Sequence, residues 1–289
     1  MTGDDGMLVS NTTYGVRKQV SDHETTLLFD AIRWPIMTTE EDSIVTADAA
    51  AGDDLDLRLP YQVGGASFAG LLVRRAAGST ARGGVMIAPD WRGLSPFVRH
   101  EAARLAEDGY DVAVVDLYGG GLFATQESQA GPLISGLIDD RRSGVSRMGS
   151  CLEAFRSATG VASVVLLGYS IGGMVSLDFA RSGADIDGVA LCSALLKPAD
   201  PGAPTKVSAP VLALHGTGDV VCPMTMVAEL SAEMDEAGND ATIILYTGTH
   251  HAFYNPEVGT DPTARLVYSA TADARSRESI DTFLAQTLR

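Results

Sequence analysis

The chain has 289 residues, of which 45% are hydrophobic and 20% charged, and its formal net charge is -16. This length suits one large α/β domain or two small ones, and the composition is ordinary for a globular protein with a sizeable core. An acidic surface repels polyanions, so we expect neither nucleic acid nor an anionic membrane as a partner.

The cysteines and the N-terminus indicate the compartment. Cys151, Cys192 and Cys222 are widely spaced, odd in number and without a CxxC pair, which predicts neither a disulfide framework nor a zinc site. Reduced cysteines fit the cytoplasm. Residues 1–5 are acidic and lack the basic and apolar regions of a signal peptide, and no apolar run is long enough to span a membrane. We therefore expect a cytoplasmic protein.

Two regions differ in composition. Residues 1–54 are polar and acidic, with a segment at residues 27–34 that is compatible with a short amphipathic helix. We expect this N-terminal extension to be partly disordered or to act as a cap. It could cover a pocket, mediate formation of a homodimer, or do neither. Residues 55–289 are expected to form one α/β domain.

From residue 55 onward, strand-like and helix-like segments alternate. Residues 55–63 and 67–74 predict a hairpin joined at Gly64-Gly65. Ser95 and Pro96 provide the N-cap and first position of a helix that Gly109 ends. Short apolar runs predict the further strands, at 85–88, 112–115, 161–167, 189–192, 211–214 and 243–246, and the last helix is expected at 274–288.

This alternation predicts an α/β fold with a mostly parallel central sheet and helices on both faces, because short, fully apolar strands are typical of doubly covered sheets. Residues 119–135 begin with three glycines and are expected to form a loop or lid over a pocket. In such folds ligands bind beyond the carboxyl ends of the strands. The side chains that follow the predicted strands are therefore the candidates for chemistry: Asp90, Asp116, Ser170, Asp219, His250 and His251.

The sequence GYSIGG at residues 168–173 joins a predicted strand to a predicted helix. A serine between glycines at such a turn is typical of a nucleophile elbow, in which a base can reach the exposed hydroxyl. A serine needs a base to take its proton, and the base needs a carboxylate to orient it. Ser170, Asp219 and His251 occur in the chain order that α/β-hydrolases use for these groups.

The chain resembles the dienelactone hydrolase family of α/β-hydrolases over about residues 55–288. The resemblance rests on GYSIGG at 168–173, LHGTGDVVCP at 214–223 and YTGTHHAF at 246–253. It implies an α/β-hydrolase fold and a triad of Ser170, Asp219 and His251. The family's histidine is followed by a small residue and a phenylalanine, which favours His251 over His250. His250 would then be a neighbour that forms local hydrogen bonds or lines the pocket.

The resemblance also extends to APDWRG at residues 88–93, which is similar to the family's oxyanion loop. It implies that the backbone N–H groups of Ile171 and Trp91 stabilise the oxyanion. Asp90 occupies the position of an acidic residue that contacts the nucleophile in the family, and it is equally compatible with an ordinary turn aspartate. Asp116 lies before the elbow strand, which is the wrong place in the chain for the triad acid.

The sequence departs from the family in three ways. It has serine where the best-known members have cysteine, and it carries the extra leader of about fifty residues. The arginines that hold the substrate carboxylate are absent from DLYGG at 116–120 and from YNP at 254–256. A small dianionic lactone is therefore an unfavourable substrate. Arg92, Arg141 or Arg142 could substitute for these arginines, and the alternative for Arg141 and Arg142 is a charged helix surface. The aromatic side chains that could line the pocket, or pack in the core, are Trp91, Tyr118, Phe253 and Tyr254.

These observations predict a serine hydrolase that cleaves an ester or lactone of a small organic substrate through an acyl-enzyme, without a metal or organic cofactor. An alternative is a biosynthetic enzyme that uses the same site for cyclisation, elimination or acyl transfer. A binding protein on a hydrolase scaffold is the third hypothesis, against which the complete triad argues. Fold alone does not define the substrate.

Overall fold

The computed structural model of the chain describes residues 45–46, 56–196 and 206–288. All of these residues belong to the unit formed by residues 34–289. The predicted helix at residues 27–34 lies outside the described residues, as does most of the extension over residues 1–54. The strands, in chain order, are β1 (Val45–Thr46), β2 (Asp56–Val63), β3 (Ala66–Val73), β4 (Gly84–Ala88), β5 (Asp111–Val114), β6 (Leu122–Phe123), β7 (Val164–Tyr169), β8 (Gly188–Cys192), β9 (Val211–Gly216) and β10 (Ala241–Tyr246).

Eight of these strands form one sheet in the order β10-β9-β8-β7-β4-β5-β3-β2. The six strands from β10 to β5 are parallel to one another, and the β2–β3 hairpin joins β5 in antiparallel fashion. The prediction of an α/β fold with a mostly parallel sheet is confirmed. A separate antiparallel pair joins β1 to β6, so residues 45–46 of the leader contact residues 122–123.

The helices are α1 (Pro96–Glu107), α2 (Glu127–Asp139), α3 (Arg141–Thr159), α4 (Ile171–Arg181), α5 (Met224–Ala237) and α6 (Ala270–Thr287), with a short 3-10 turn at Pro256–Val258. Every residue of β4, β5, β7, β8 and β9 is buried. A strand is buried at consecutive positions only when both faces of the sheet are covered, since successive side chains point to opposite faces. Of the helices in the described ranges, none combines the length and apolarity needed to cross a bilayer.

Two predicted segments differ from the structure. The last helix begins four residues earlier than expected, because Ser269 accepts a hydrogen bond from the Ala272 N–H and serves as its N-cap. The prediction of a loop over residues 119–135 is wrong for its second half, because α2 begins at Glu127. Its buried residues Ala130, Ile134 and Leu137 follow helical spacing, so packing of this apolar face stabilises a helix there.

The fold positions the candidate chemical groups at one edge of the sheet. Asp90 follows β4, Ser170 follows β7, Asp219 follows β9 and His251 follows β10. These four strands run parallel, so their carboxyl ends lie at the same edge.

Candidate active site

Ser170 occupies a sharp turn between β7 and α4. Its backbone angles are φ 50° and ψ -116°, a conformation that non-glycine residues rarely adopt. Backbone hydrogen bonds hold it there: its N–H donates to Cys192 O at 3.1 Å, and its carbonyl accepts from the N–H groups of Met174 and Leu195. Such strained residues persist where the surrounding structure over-determines them, commonly at active sites.

The glycines around Ser170 are required by close backbone approaches. A Cβ at Gly172 would lie 2.3 Å from Ala88 O, and a Cβ at Gly173 would lie 2.4 Å from the Ala194 Cβ. A Cβ at Gly168 would lie 2.6 Å from the Gly173 Cα. The motif that the sequence shows at 168–173 is therefore a steric requirement of packing the turn against β4 and β8.

Ser170, His251 and Asp219 form a continuous hydrogen-bonded chain. Ser170 Oγ lies 2.9 Å from His251 Nε2, and His251 Nδ1 lies 2.7 Å from Asp219 Oδ2. All three residues are buried, with Ser170 7% exposed. This geometry is that of a nucleophile, a base and a group that orients the base.

The charge on Asp219 determines which nitrogen of His251 carries the proton. Burial by itself raises the pKa of Asp219, but the charge and hydrogen bond of His251 and the N–H of Cys222 together hold the pKa below its usual value. Asp219 Oδ1 also accepts from the N–H groups of Val221 and Cys222, each at 2.8 Å. An ionised carboxylate only accepts hydrogen bonds, so Nδ1 is the donor to Asp219 and Nε2 is the nitrogen that can accept the proton of the Ser170 hydroxyl.

Asp116, which competed with Asp219 in the sequence, has a different position. Its carboxylate accepts hydrogen bonds from the backbone N–H groups of Ala69, Tyr118, Gly119 and Gly121. These bonds organise the turn after β5. Asp116 therefore stabilises a turn and takes no part in the hydrogen-bonded chain at Ser170.

Asp90 is buried beside the turn that follows β4. Its Oδ1 accepts from the Arg92 N–H at 3.0 Å, and its Oδ2 accepts from Asn255 Nδ2 at 3.1 Å. Burial raises the pKa of Asp90, and the hydrogen bonds of Arg92 and Asn255 lower it by a smaller amount. Among the described residues, the hydrogen bonds of this carboxylate go to Arg92 and Asn255 and not to Ser170, which supports the turn-aspartate interpretation.

The two expected oxyanion donors are backbone groups. The Ile171 N–H lies in the first turn of α4, where helix geometry offers no acceptor four residues back. Trp91 follows Asp90, and its carbonyl accepts a hydrogen bond from the Tyr118 hydroxyl at 3.0 Å. Tyr118, expected in the pocket, therefore holds the carbonyl of Trp91, the residue whose own N–H is the second expected donor.

The other residues predicted for the pocket have varied positions. Phe253 and Tyr254 are 0% and 2% exposed. Tyr254 packs on Phe97 and Tyr169, with ring centroids 5.3 and 4.7 Å apart. We therefore assign Phe253 and Tyr254 to the core, where they hold the histidine loop against the elbow strand. His250 is partly exposed and its ring lies near Gly218, outside the hydrogen-bonded chain.

A cavity of about 620 Å³ lies next to Trp91 and Arg92, a volume suited to a small organic molecule. It approaches the triad through Trp91 and through Leu266, which forms a β-bridge with His251. Further lining residues that the sequence did not reveal are Thr125, Glu127, Val258 and Arg265. They come from the segment after β6 and from the loop before α6, and the sequence contains no motif at either place.

Sequence and structure comparisons agree on the class of protein. The family model of the dienelactone hydrolase family matches residues 68–288. A search of curated protein sequences found no match to this chain.

Among solved structures, a protein designated m3DLH is 25% identical, with a TM-score of 0.75 over 81% of this chain and 98% of that one. The dienelactone hydrolase-like promiscuous phosphotriesterase P91 from metagenomic libraries is 23% identical, with a TM-score of 0.74 over 81% and 98% of the two chains. The dienelactone hydrolase of Anabaena variabilis is 19% identical, with a TM-score of 0.60 over 81% and 98%.

The fold and the match over residues 68–288 define an α/β-hydrolase. The chain belongs to the dienelactone hydrolase family.

Proposed function

We propose that this protein is a serine hydrolase that cleaves an ester or lactone of a small organic substrate through an acyl-enzyme. The observation that supports this proposal is the hydrogen-bonded chain from Ser170 Oγ through His251 to Asp219. A serine hydroxyl is a poor nucleophile unless a base accepts its proton, and His251 Nε2 is within hydrogen-bond distance of that proton.

In the acylation step, Ser170 Oγ attacks the substrate carbonyl while its proton moves to His251 Nε2. The tetrahedral intermediate collapses, the bond to the leaving alcohol breaks, and His251 returns the proton to the leaving oxygen. Asp219 stabilises the positive charge that develops on the ring and keeps Nδ1 as the donor. In a lactone, the leaving oxygen stays attached to the acyl chain.

In the deacylation step, His251 takes a proton from a water molecule, which attacks the ester formed on Ser170. The second tetrahedral intermediate releases the carboxylic acid and Ser170 regains its proton. The N–H groups of Ile171 and Trp91 are the proposed donors to the negative oxygen in both steps. Each such donor contributes about 3 kcal/mol to lowering the barrier.

The first test is replacement of the nucleophile. Ser170→Ala is expected to reduce kcat for small aryl esters by about four orders of magnitude or more, because no other group can form the acyl bond. Its fold should be retained, since the change removes one oxygen. Steady-state kinetics and circular dichroism measure the two effects.

A matched control is Ser182→Ala, which removes a hydroxyl at an exposed position after the end of α4 that donates to Phe179 O. It should retain wild-type turnover. Ester hydrolysis by Ser170→Ala at the wild-type rate would refute the proposal. Hydrolysis in water enriched in heavy oxygen should place that oxygen in the acid product, whereas cyclisation or acyl transfer to an internal group would not.

A further inference from the structure

The cavity lined by Trp91 and Leu266 contains an arginine that already has a partner. Arg92 Nη1 forms an ion pair with Glu257 Oε2. Arg92 is one of the residues that line the cavity, and Glu257 directly precedes the lining residue Val258. The pair therefore joins the turn after β4 to the 3-10 turn that follows the histidine loop.

Arg92 is held in place from several sides. Its N–H donates to Asp90 Oδ1 at 3.0 Å, and its guanidinium lies over the Trp91 ring, 5.1 Å from the centroid. The side chains of Arg92 and Glu257 are 18% and 29% exposed. Because the pair is mostly buried, solvent and salt screen it less than a surface pair.

A second pair of opposite charges lies on the same cavity. Arg265 Nη2 is 3.7 Å from Glu127 Oε2, and both residues line the cavity. Each arginine that faces the cavity therefore lies beside a carboxylate. The arrangement is unlike an anion site, in which guanidinium N–H groups are directed at the ligand.

We propose that Glu257 is a specificity-determining residue that neutralises Arg92, so that the site selects an uncharged acyl group over one that bears a carboxylate. A substrate carboxylate that approached Arg92 would have to displace Glu257 or lie next to its negative charge. Either event is unfavourable, since two carboxylates would share one guanidinium. The inference rests on the proposed hydrolase function and names the substrate class within it.

The test uses pairs of substrates that differ only in charge. Aryl monoesters of glutaric, adipic and pimelic acid carry a terminal carboxylate. The matched neutral substrates are the same aryl esters with a primary amide in place of that carboxylate, which keeps the shape similar. The rate with Ser170→Ala is subtracted as the non-enzymatic background. The measured quantity is the ratio of kcat/KM for the acid to kcat/KM for the amide of the same chain length.

For the wild-type protein, we expect this ratio to be below one for every chain length. Glu257→Gln keeps the side-chain size, removes its charge and releases Arg92 toward the cavity. We expect it to raise the ratio at least about tenfold for the chain length that reaches Arg92. The gain should decrease with added salt, because salt screens the attraction between Arg92 and the substrate carboxylate.

The double variant Arg92→Gln/Glu257→Gln tests whether Arg92 carries the effect, and it should lose the gain. Glu236→Gln is the matched control, since it removes one negative charge from an exposed position on α5. It should leave the ratio unchanged, which separates the local pair from the overall charge of the protein.

The outcomes distinguish the inference from the function on which it rests. If wild type cleaves the ester bond of the amide-bearing substrates and Ser170→Ala does not, the proposed function is supported. The ratios of kcat/KM for acid and amide then decide the inference. A wild-type preference for the acids, or an unchanged ratio in Glu257→Gln, would overturn it. The ratio measured for the wild-type protein does not depend on the folding of any variant. Hydrolysis of the neutral, amide-bearing ester by Glu257→Gln shows whether that variant is folded and active.

Discussion

Three non-glycine residues with positive φ, a strained backbone conformation, lie in or beside the candidate active site. In the described part of the chain, the non-glycine residues with positive φ are Ser170, Ser193 and Ala252. Ser170 is the proposed nucleophile, Ser193 Oγ lies 3.5 Å from Asp219 Oδ2, and Ala252 follows His251. Strain of this kind is tolerated where it serves positioning, and here each such residue is in the triad or adjoins it.

Tyr118 provides a prediction at this scale. Tyr118→Phe removes the hydrogen bond from its hydroxyl to Trp91 O, so Trp91, whose N–H is the second proposed oxyanion donor, is held less firmly. We expect kcat for a neutral aryl ester to fall about fivefold, the effect of one hydrogen bond of about 1 kcal/mol, with KM nearly unchanged. Steady-state kinetics separates the two constants. A raised KM at constant kcat would instead place the hydroxyl in contact with the substrate.

The sequence pointed to the three residues of the hydrogen-bonded chain because each lies in a recognisable motif after a predicted strand. It did not identify Asn255 or Glu257, because polar side chains in a loop have no distinguishing pattern until a partner such as Asp90 or Arg92 is known. Phe253 and Tyr254 were expected near the substrate, and their aromatic side chains are buried in the core. Sequence alone does not separate these two environments.

At the scale of elements, the turn from β7 into α4 leaves no room for a side chain at Gly172 or Gly173. Gly172→Ala would place a methyl group 2.3 Å from Ala88 O and 2.2 Å from Pro89 O. The helix or β4 would have to shift, so we expect the free energy of unfolding to fall by about 3 kcal/mol and turnover to be lost. Urea denaturation and ester kinetics measure the two effects.

The matched control is Gly136→Ala in α2, where an added Cβ would meet no atom within 4 Å. Alanine is the better helix former, so this variant should be more stable than wild type by about 0.5–1 kcal/mol. Equal effects of the two substitutions on stability would contradict the steric account of the turn.

Helix α2 shows where pattern reasoning at this scale is limited. The glycines at 119–121 favoured a loop over residues 119–135, and Gly131-Pro132 within that segment is a dipeptide typical of a turn. The helix nevertheless continues through Pro132. Its apolar face is buried, and tertiary packing outweighed the local preference of two residues.

At the scale of the whole molecule, the parallel sheet was predictable because fully apolar strands leave few other arrangements. The pairing of residues 45–46 with 122–123 was not predictable, since two-residue strands have no periodicity to recognise. The order of the strands likewise depends on contacts that are distant in sequence, and no strand order was predicted.

Stability as a function of pH is a property of the whole molecule that Asp90 should influence. Because burial raises its pKa, native Asp90 binds its proton more tightly than the unfolded chain does. Its contribution to stability is therefore complete below the usual aspartate pKa of about 3.9 and is lost as pH rises through the native value. Asp90→Asn has no such loss, so its free energy of unfolding relative to wild type should increase with pH.

Urea denaturation at several pH values between about 4 and 7 measures this difference. Asp235→Asn, which removes the same charge from an exposed position of α5, is the control for the overall charge of the protein. A difference for Asp90→Asn that is flat, or that falls as pH rises, would contradict the assignment of a raised pKa to Asp90.

The central claim, that Ser170 forms an acyl-enzyme, is tested most directly by trapping that intermediate. A rapid acid quench during turnover of an aryl ester, followed by proteolysis and mass spectrometry, should show the acyl group on the peptide that contains Ser170. The same treatment of Ser170→Ala should show no acylated peptide. An acyl group found on another residue, or one that persists in Ser170→Ala with turnover intact, would contradict the account.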